Sequence, residues 1–358
     1  MAAHDDEALR LFEQEGLSYE QIKDRLGLRT VKQVNHAIWR ARKVSGREGQ
    51  RQVDVRTTVL TMLRKGEYST GEISEKTDRS TKTISDTLAA LSAEGYGIHE
   101  CNGRYSLTKT PQEENKTFIH NWRGEILRFG VISDTHLCSK YCRMDHLSAF
   151  YDDIQAEGID TVYHAGDVLD GDNVYRGHRY EVDIVGSDAQ VDYVVQNYPY
   201  REGVKTRFIT GNHDLQFFKE QGRDVGRAIA AERPDMEYLG QLGAYVNITK
   251  TLRMYLLHPD SGPAYAISYK PQRIAAGFFG GEKPAIMIIG HYHQAEYLFE
   301  RNIHIIQAGS WQGQTPYLRR KGIWPKVGGW IVEIGITKEG KRGDCISSIK
   351  PILKVHVI

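Results

Sequence analysis

Hydrophobic spacing along the chain changes character once, near residue 110. Before that point apolar residues recur three and four positions apart in short segments, the period of an amphipathic helix. "DDEALRLFEQEG" (5–16), "SYEQIKDRLGL" (18–28) and "RTVKQVNHAIWRARK" (29–43) each predict a helix, the last carrying Val31, Val34, Ala37 and Ile38 at helical spacing. A second set follows at 54–66, 69–77 and 78–95. It runs into "YGIHECNGRYSLT", which alternates about Asn102-Gly103 as a hairpin does. The stretch "TKTPQEENKTFIHNWRGE" (108–125) is polar, holds Pro111 and predicts a linker. From residue 126 onward, apolar β-branched runs alternate with helical patterns.

The first three helices, joined by a tight "LGL" turn, resemble a helix-turn-helix unit whose third helix reads DNA. Helix, helix, helix, hairpin in the second set resembles a winged helix. The predicted organisation is therefore a helix-turn-helix domain at 1–48, a winged helix at 52–109, a linker at 110–124 and a further domain of alternating strands and helices at 125–358. Overall charge is uninformative: 47 Lys plus Arg face 46 Asp plus Glu. Any footprint on nucleic acid must be local. Residues 29–56 hold eight Lys/Arg against Glu48 and Asp54. Arg29, Lys32, Arg40, Arg42 and Lys43 on one module, and Ser80, Thr81 and Lys82 at a helix start on the other, are the candidate DNA contacts. A solvated basic face or a protein-binding winged helix would read the same way.

Five apolar runs in the second part each deliver Asp, Asn or His just past their C-terminal end. "ILRFGVISDTH" ends in Asp134 and His136, "IDTVYHAGDVLDG" in Asp167, "VKTRFITGNHD" in Asn212 and His213, "LRMYLLHPD" in His258, and "PAIMIIGHYH" in His291 and His293. Ligand sites of layered α/β folds gather at that edge. Leaving His213 aside, the donors are two Asp, one Asn and four His. Oxygen and imidazole without thiolate suits Mn²⁺, Fe or Zn²⁺ in a reactive site. Seven donors exceed what one tetrahedral ion takes and fit two ions sharing a carboxylate.

The ordered series D-x-H (134, 136), G-D-x-x-D (167, 170), G-N-H-D (211–214), His258 and G-H-x-H (291, 293) resembles the calcineurin-like metallophosphoesterase superfamily. The resemblance implies a four-layer α/β/β/α sandwich. It implies a first metal held by Asp134, His136 and His293, a second by Asn212, His258 and His291, and Asp167 bridging them. A hydroxide between the ions would attack phosphorus in line. His213 would face the substrate and protonate the leaving oxygen, and Asp214 would orient His213. "HPD" at 258–260 departs from the family's commoner His-Gly. Asp170 reads as a hydrogen-bond acceptor behind the ligands, and His164 as a core histidine. Cys138 and Cys142 follow the first metal loop but match no family position.

Within "GDNVYRGHRYEVD" (171–183), Arg176, His178 and Arg179 interleave with tyrosines and are candidate substrate contacts. "SYKPQRIAAG" and "WQGQTPYLRRKG" add Lys270, Arg273, Arg319, Arg320 and Lys321. A dimetal phosphodiesterase fused to two DNA-reading folds predicts a Mn²⁺-dependent DNA endo- or exonuclease, with Mg²⁺, Fe or Zn²⁺ as other ions. A phosphomonoesterase or nucleotide phosphodiesterase with a regulatory N-terminal part is an alternative. So is a DNA-binding regulator whose phosphoesterase domain senses a ligand. No run of ~18 apolar residues predicts a membrane span, and four scattered cysteines predict reduced thiols in a cytoplasmic protein. A single chain and a homodimer are both compatible with paired helix-turn-helix units.

Overall fold

A computed structural model gives the fold of the chain over residues 2–13, 15, 17, 19–44, 54–107, 117–120, 122–279, 283–338 and 343–355. Two compact units emerge, Met1–Val59 and Leu60–Ile358. In the first, α1 (Ala2–Glu13), α2 (Tyr19–Arg25) and α3 (Val31–Val44) bury Leu11, Ile22, Val34 and Ile38 against one another. Arg40 on α3 grips Asp5 on α1 with two hydrogen bonds of 2.8 and 2.9 Å. That guanidinium is engaged in helix packing, while its side chain stays half-exposed. The side chains of Lys32, Arg42 and Lys43 lie outside the described residues.

Next come α4 (Val55–Lys65), β1 (Tyr68–Ser69), α5 (Thr70–Thr77), α6 (Thr81–Ala93), β2 (Ile98–Cys101) and β3 (Arg104–Leu107), the strands forming a small sheet ordered β1-β3-β2. Ser69 and Glu72 form a capping box on α5. Ser80 caps α6 by accepting the Thr83 N–H at 3.1 Å. Asn102 and Gly103 both take positive φ (52° and 74°), as the two-residue hairpin turn between β2 and β3 requires.

The remainder runs β4 (Thr117–Ile119), β5 (Ile126–Ile132), α7 (Met144–Ala156), β6 (Thr161–Ala165), α8 (Ser187–Asn197), β7 (Lys205–Thr210), α9 (Asn212–Gln221), α10 (Val225–Glu232), β8 (Met236–Gln241), β9 (Gly243–Asn247), β10 (Arg253–Leu257), α11 (Tyr269–Ala276), β11 (Ile286–Ile289), β12 (Ala295–Glu300), β13 (Ile303–Ala308), α12 (Pro316–Arg320), β14 (Gly328–Lys338) and β15 (Asp344–Val355). Among the described residues these form two six-stranded mixed sheets, β15-β14-β5-β6-β7-β8 and β12-β13-β11-β10-β9-β4. Alternation decides what each face meets. Phe129, Val131, Tyr163 and Ile209 of one sheet pack on Val246, Leu256, Ile288 and Ile306 of the other. Leu147, Phe150, Val191 and Ile229 of α7, α8 and α10 cover the first sheet through Val162 and Phe208. Ala275 of α11 covers the second through Met287, Ile289 and Ile305.

Part of the predicted linker is structured. Thr117–Ile119 pairs in parallel with Tyr245–Asn247, so these residues belong to a sheet edge; polar composition hid a three-residue strand carrying Phe118. Residues 110–116 lie outside the described set. Beyond it, β15 is the other sheet's edge strand, which explains why Pro351 is tolerated in it. The small β1–β3 module is tied to the large body by main chain. Gly97 N–H donates to the Gly222 carbonyl at 2.7 Å, and Asp224 N–H to the Gly95 carbonyl at 2.6 Å. No helix among the described residues is long and apolar enough to cross a membrane.

Candidate metal centre

Strands β5, β6, β7, β10 and β11 all end at one place, and each hands over its polar residues there. Asp134 follows β5, Asp167 follows β6, Asn212 opens α9 after β7, His258 follows β10, and His291 and His293 follow β11. The turns that aim them are strained. Asp134, His136, Asp167, His291 and His293 have φ of 54°, 44°, 55°, 75° and 55°. Non-glycine residues in this left-handed region cost roughly 1–3 kcal/mol each and persist only where the surroundings fix them. Here the loops after β5 and β6 fix one another: Asp134 N–H donates to the Gly166 carbonyl (2.9 Å), His136 N–H to that of Asp167 (3.1 Å) and Leu137 N–H to that of Val168 (2.9 Å).

Among the described residues four groups of donors each converge within 4.8 Å: Asp134, His136 and His293; His136, Asp167 and His213; Asp167, His258 and His291; and, behind them, Asp170, His178 and His213. His136 Nε2 and His293 Nε2 stand 3.1 Å apart, and His293 Nε2 lies 3.2 Å from Asp134 Oδ1. His258 Nε2 is 3.1 Å from both Asp167 Oδ2 and Asn212 Oδ1. Asp167 thus stands in both halves of the cluster.

These residues fit a metal on three observations. Asp134 Oδ1 is buried without a hydrogen bond, with His293 Nε2 standing 3.2 Å away, at a cost that a ligand would remove. The donors are carboxylate, amide oxygen and imidazole, a set that divalent ions accept. The charges also ask for a cation. Burial alone would raise the carboxyls of Asp134 and Asp167, but neighbouring imidazolium charge, from His293 and His258 first, holds both well below the usual carboxylate range. Burial would strip the proton from His258, yet Asp167 raises it to about 9; His291, under burial and the His258 charge, falls to about 4. A bound divalent cation would displace that proton and neutralise the same carboxylates.

Glycines leave the room. A Cβ on Gly211 would sit 2.5 Å from Asp167 N and 2.7 Å from His258 Nε2, and one on Gly290 would sit 2.8 Å from His258 Nδ1. His258 Nδ1–H donates to the Ala165 carbonyl at 2.7 Å, which turns Nε2 toward the centre.

His213 occupies the rim, its N–H donating to Asp167 Oδ1 at 2.9 Å. Its partner is not Asp214. The Asp214 carboxylate accepts three main-chain N–H groups, from Gly211 (2.8 Å), Val168 (3.1 Å) and Leu169 (2.8 Å). Burial, reinforced by the Asp167 charge, pushes that carboxyl up to about 7. This corrects its assignment as the orienter of His213: as the third residue of α9 it is drawn to the N–H groups of the strand end. Asp170 takes the role. Its main-chain oxygen accepts from His213 Nδ1, and its carboxylate lies 2.9 Å from His136 Nδ1 and 3.2 Å from His178 Nε2.

His178, predicted as a substrate contact, is instead buried behind the site, because Val174 N–H donates to its Nδ1 (3.3 Å) and turns Nε2 to Asp170. Arg176 and Arg179 on the same loop are exposed. Cys142 donates to the Thr135 carbonyl at 3.2 Å, burial pushes its thiol up to about 12, and neither it nor Cys138 joins a donor group.

Two supports escaped sequence reading. Gln312 Nε2 donates to Asp170 Oδ1 at 3.2 Å, and Ser310 Oγ to the Asp134 carbonyl at 3.1 Å. His164, read from the sequence as a core histidine, is buried and hydrogen-bonded through both ring nitrogens. Gly166 N–H donates to its Nδ1 (3.2 Å), so Nε2–H donates to Thr135 Oγ (3.0 Å), whose own proton goes to the Val168 carbonyl (3.0 Å). Burial pushes His164 down to about 3. The unfolded chain takes up this proton near pH 6.5, and the folded one does so only near pH 3. Stability is therefore full above the unfolded value and falls with pH across that window, by about 1.4 kcal/mol per pH unit. Urea midpoints measured from pH 7 to pH 4 should fall less steeply for His164→Asn; equal slopes would show that this imidazole does not stay neutral.

Residues 127–322 match the profile of the calcineurin-like phosphoesterase superfamily domain. The chain belongs to that superfamily. DNA polymerase II small subunits of two Halobacterium salinarum strains are 23% identical over 251 residues, 60% of this chain and 49% of theirs. The chain thus spans about half the length of the curated relatives it matches. A solved archaeal phosphodiesterase aligns over 64% of this chain and 100% of its own, with 14% identity and a TM-score of 0.34. Vps29 from Entamoeba histolytica, complexed with zinc, aligns over 64% and 99% at 14% identity and a TM-score of 0.31.

Proposed function

We propose that this superfamily member is a phosphodiesterase that uses two divalent ions, Mn²⁺ first among the candidates, to hydrolyse DNA. The observation that carries it is the pair of donor groups meeting at Asp167 with His213 beside them. Asp134, His136 and His293 would hold one ion, Asn212, His258 and His291 the other. Bound there, the ions would lower the pKa of water and neutralise phosphoryl oxygens. The chain's own residues do the rest. Asp170 accepts from His213 Nδ1; burial would strip the second ring proton, but the Asp167 charge raises the imidazole above its usual value, so Nε2 also carries a proton to face a substrate and give to the leaving oxygen. Asp214 locks the turn at Gly211 that presents Asn212 and His213.

DNA as substrate draws on the N-terminal part. Three helices around one small core, then helices with a three-stranded sheet, support the helix-turn-helix and winged-helix readings. Arg29, Ser80, Thr81 and Lys82 are exposed at helix starts. The resemblance to DNA polymerase small subunits points the same way. The anchoring of Gly95 and Gly97 on Gly222 and Asp224 places the second module at one end of α9, whose other end carries Asn212 and His213. The three cores around the paired sheets support the four-layer arrangement.

The test is hydrolysis by metal-stripped protein resupplied with Mn²⁺, Mg²⁺ or Zn²⁺, given supercoiled, linear and single-stranded DNA beside a small chromogenic diester and a monoester. Metal-dependent DNA cleavage is expected, with affinity falling as salt rises. Hydrolysis of only the small esters would overturn the DNA assignment and leave a phosphatase or nucleotide phosphodiesterase.

A further inference from the structure

Two segments far apart in sequence, 171–183 and 311–322, meet beside the metal centre. The rings of Tyr175 and Tyr317 lie 4.1 Å apart and 20° from parallel. Tyr175 also lies over His178 (4.3 Å, 33°) and stands 6.4 Å from the His213 ring. His178 is buried against Asp170, while Tyr175 and Tyr317 are half-buried. The three rings form a column rising from behind the site to its rim. Its base is fixed: the Tyr175 hydroxyl donates to Glu181 at 2.9 Å. Its top carries a cation, Lys321 Nζ, 5.8 Å above the Tyr317 ring. Arg176 and Arg179 flank it on one segment, Arg319 and Arg320 on the other, all exposed.

We infer that this column is a stacking site for the bases of a single-stranded DNA segment, which lays the adjoining phosphodiester against His213. The inference rests on the phosphodiesterase reading for where the reaction occurs. Aromatic faces beside cations suit single strands: every base offers a π-face, and the cations follow the backbone. In a duplex those faces are covered by neighbouring base pairs, and exposing one requires unstacking. The ligands themselves are recessed, with Asp134, Asp167 and His258 at most 1% exposed. A flexible strand bends its phosphate into such a site where a stiff duplex does not. Lys321 is a placeholder: a base displaces it from the ring and its ammonium turns to phosphate.

The test measures binding without turnover. Fluorescence anisotropy with labelled oligothymidylate, and with a duplex of equal length, is read on the full chain in EDTA. Tyr317→Leu keeps an apolar side chain and removes the ring; Tyr317→Trp keeps a stacking face. Tyr317→Leu is expected to weaken oligothymidylate binding about tenfold, with Tyr317→Trp within about twofold of wild type and duplex affinity much less affected. An equal loss on single strand and duplex, no loss at all, or a Trp variant as weak as the Leu variant would overturn the stacking site. Failure here leaves the phosphodiesterase reading intact. Failure of the wild type to cleave any DNA removes that reading while binding to oligothymidylate is still measured.

Discussion

Asp167→Asn is expected to lower turnover of a small diester by about 10³-fold or more and to weaken metal binding at both positions. Asp167 is shared by the donor groups on either side of it. Its Oδ2 meets His258 Nε2 at 3.1 Å, and its Oδ1 accepts the His213 N–H at 2.9 Å. An amide keeps the second contact but brings no charge to the first. Loss of one charged ligand from a metal-assisted reaction removes several kcal/mol of transition-state stabilisation, each 1.4 kcal/mol being tenfold in rate. Folding should survive, because the amide is isosteric and His258, without the Asp167 charge that raises it against burial, gives up its proton. Calorimetric metal titration beside the hydrolysis assay separates the outcomes. Two equivalents of metal bound at wild-type affinity, with turnover within tenfold of wild type, would refute Asp167 as the shared ligand.

Legibility of the fold and site differed by kind of signal. The five strand ends could be read because a buried strand that stops in Asp, His or Asn breaks its own pattern, and the structure does bring those residues to one edge. Helix starts at Ser69 and Ser80 and the turn at Asn102-Gly103 were legible because their chemistry is local. What the sequence did not reveal was long-range partnership. Asp214 follows His213 directly, yet α9 rotates its carboxylate away to the N–H groups of residues 168, 169 and 211, and Asp170, 43 positions upstream, takes over. His178 sits among arginines and tyrosines in a polar loop, but a helical turn swings it inward to Asp170. Arg40 belongs to a basic run, yet Asp5 claims it. The left-handed backbone at Asp134, His136, Asp167, His291 and His293 leaves only a weak trace in residue type: Asp and His are enriched at positive φ, but most of them lie elsewhere.

His213→Ala tests the chemical role most directly. On the DNA reading proposed above, turnover on DNA should fall by about 10²- to 10⁴-fold, the usual contribution of a positioned acid, while metal affinity stays near that of wild type, because the ring faces the rim and the main-chain N–H to Asp167 survives the substitution. The loss should depend on the leaving group. An alkoxide leaving from DNA needs a proton as its bond to phosphorus breaks; a 4-nitrophenolate does not. The variant should therefore lose much less on a 4-nitrophenyl diester than on DNA or an unsubstituted phenyl diester. If all three lose equally, His213 acts through charge on the phosphoryl oxygens, and the leaving oxygen takes its proton elsewhere. Asp170 offers the internal check. Its carbonyl fixes Nδ1 of His213 by a main-chain contact, so Asp170→Asn keeps that hydrogen bond and loses the carboxylate charge that faces His136, His178 and, at 3.5 Å, His213 Nδ1. That variant should lose activity without changing the spread among the three leaving groups, whereas His213→Ala should widen it in favour of the substrate that needs no proton.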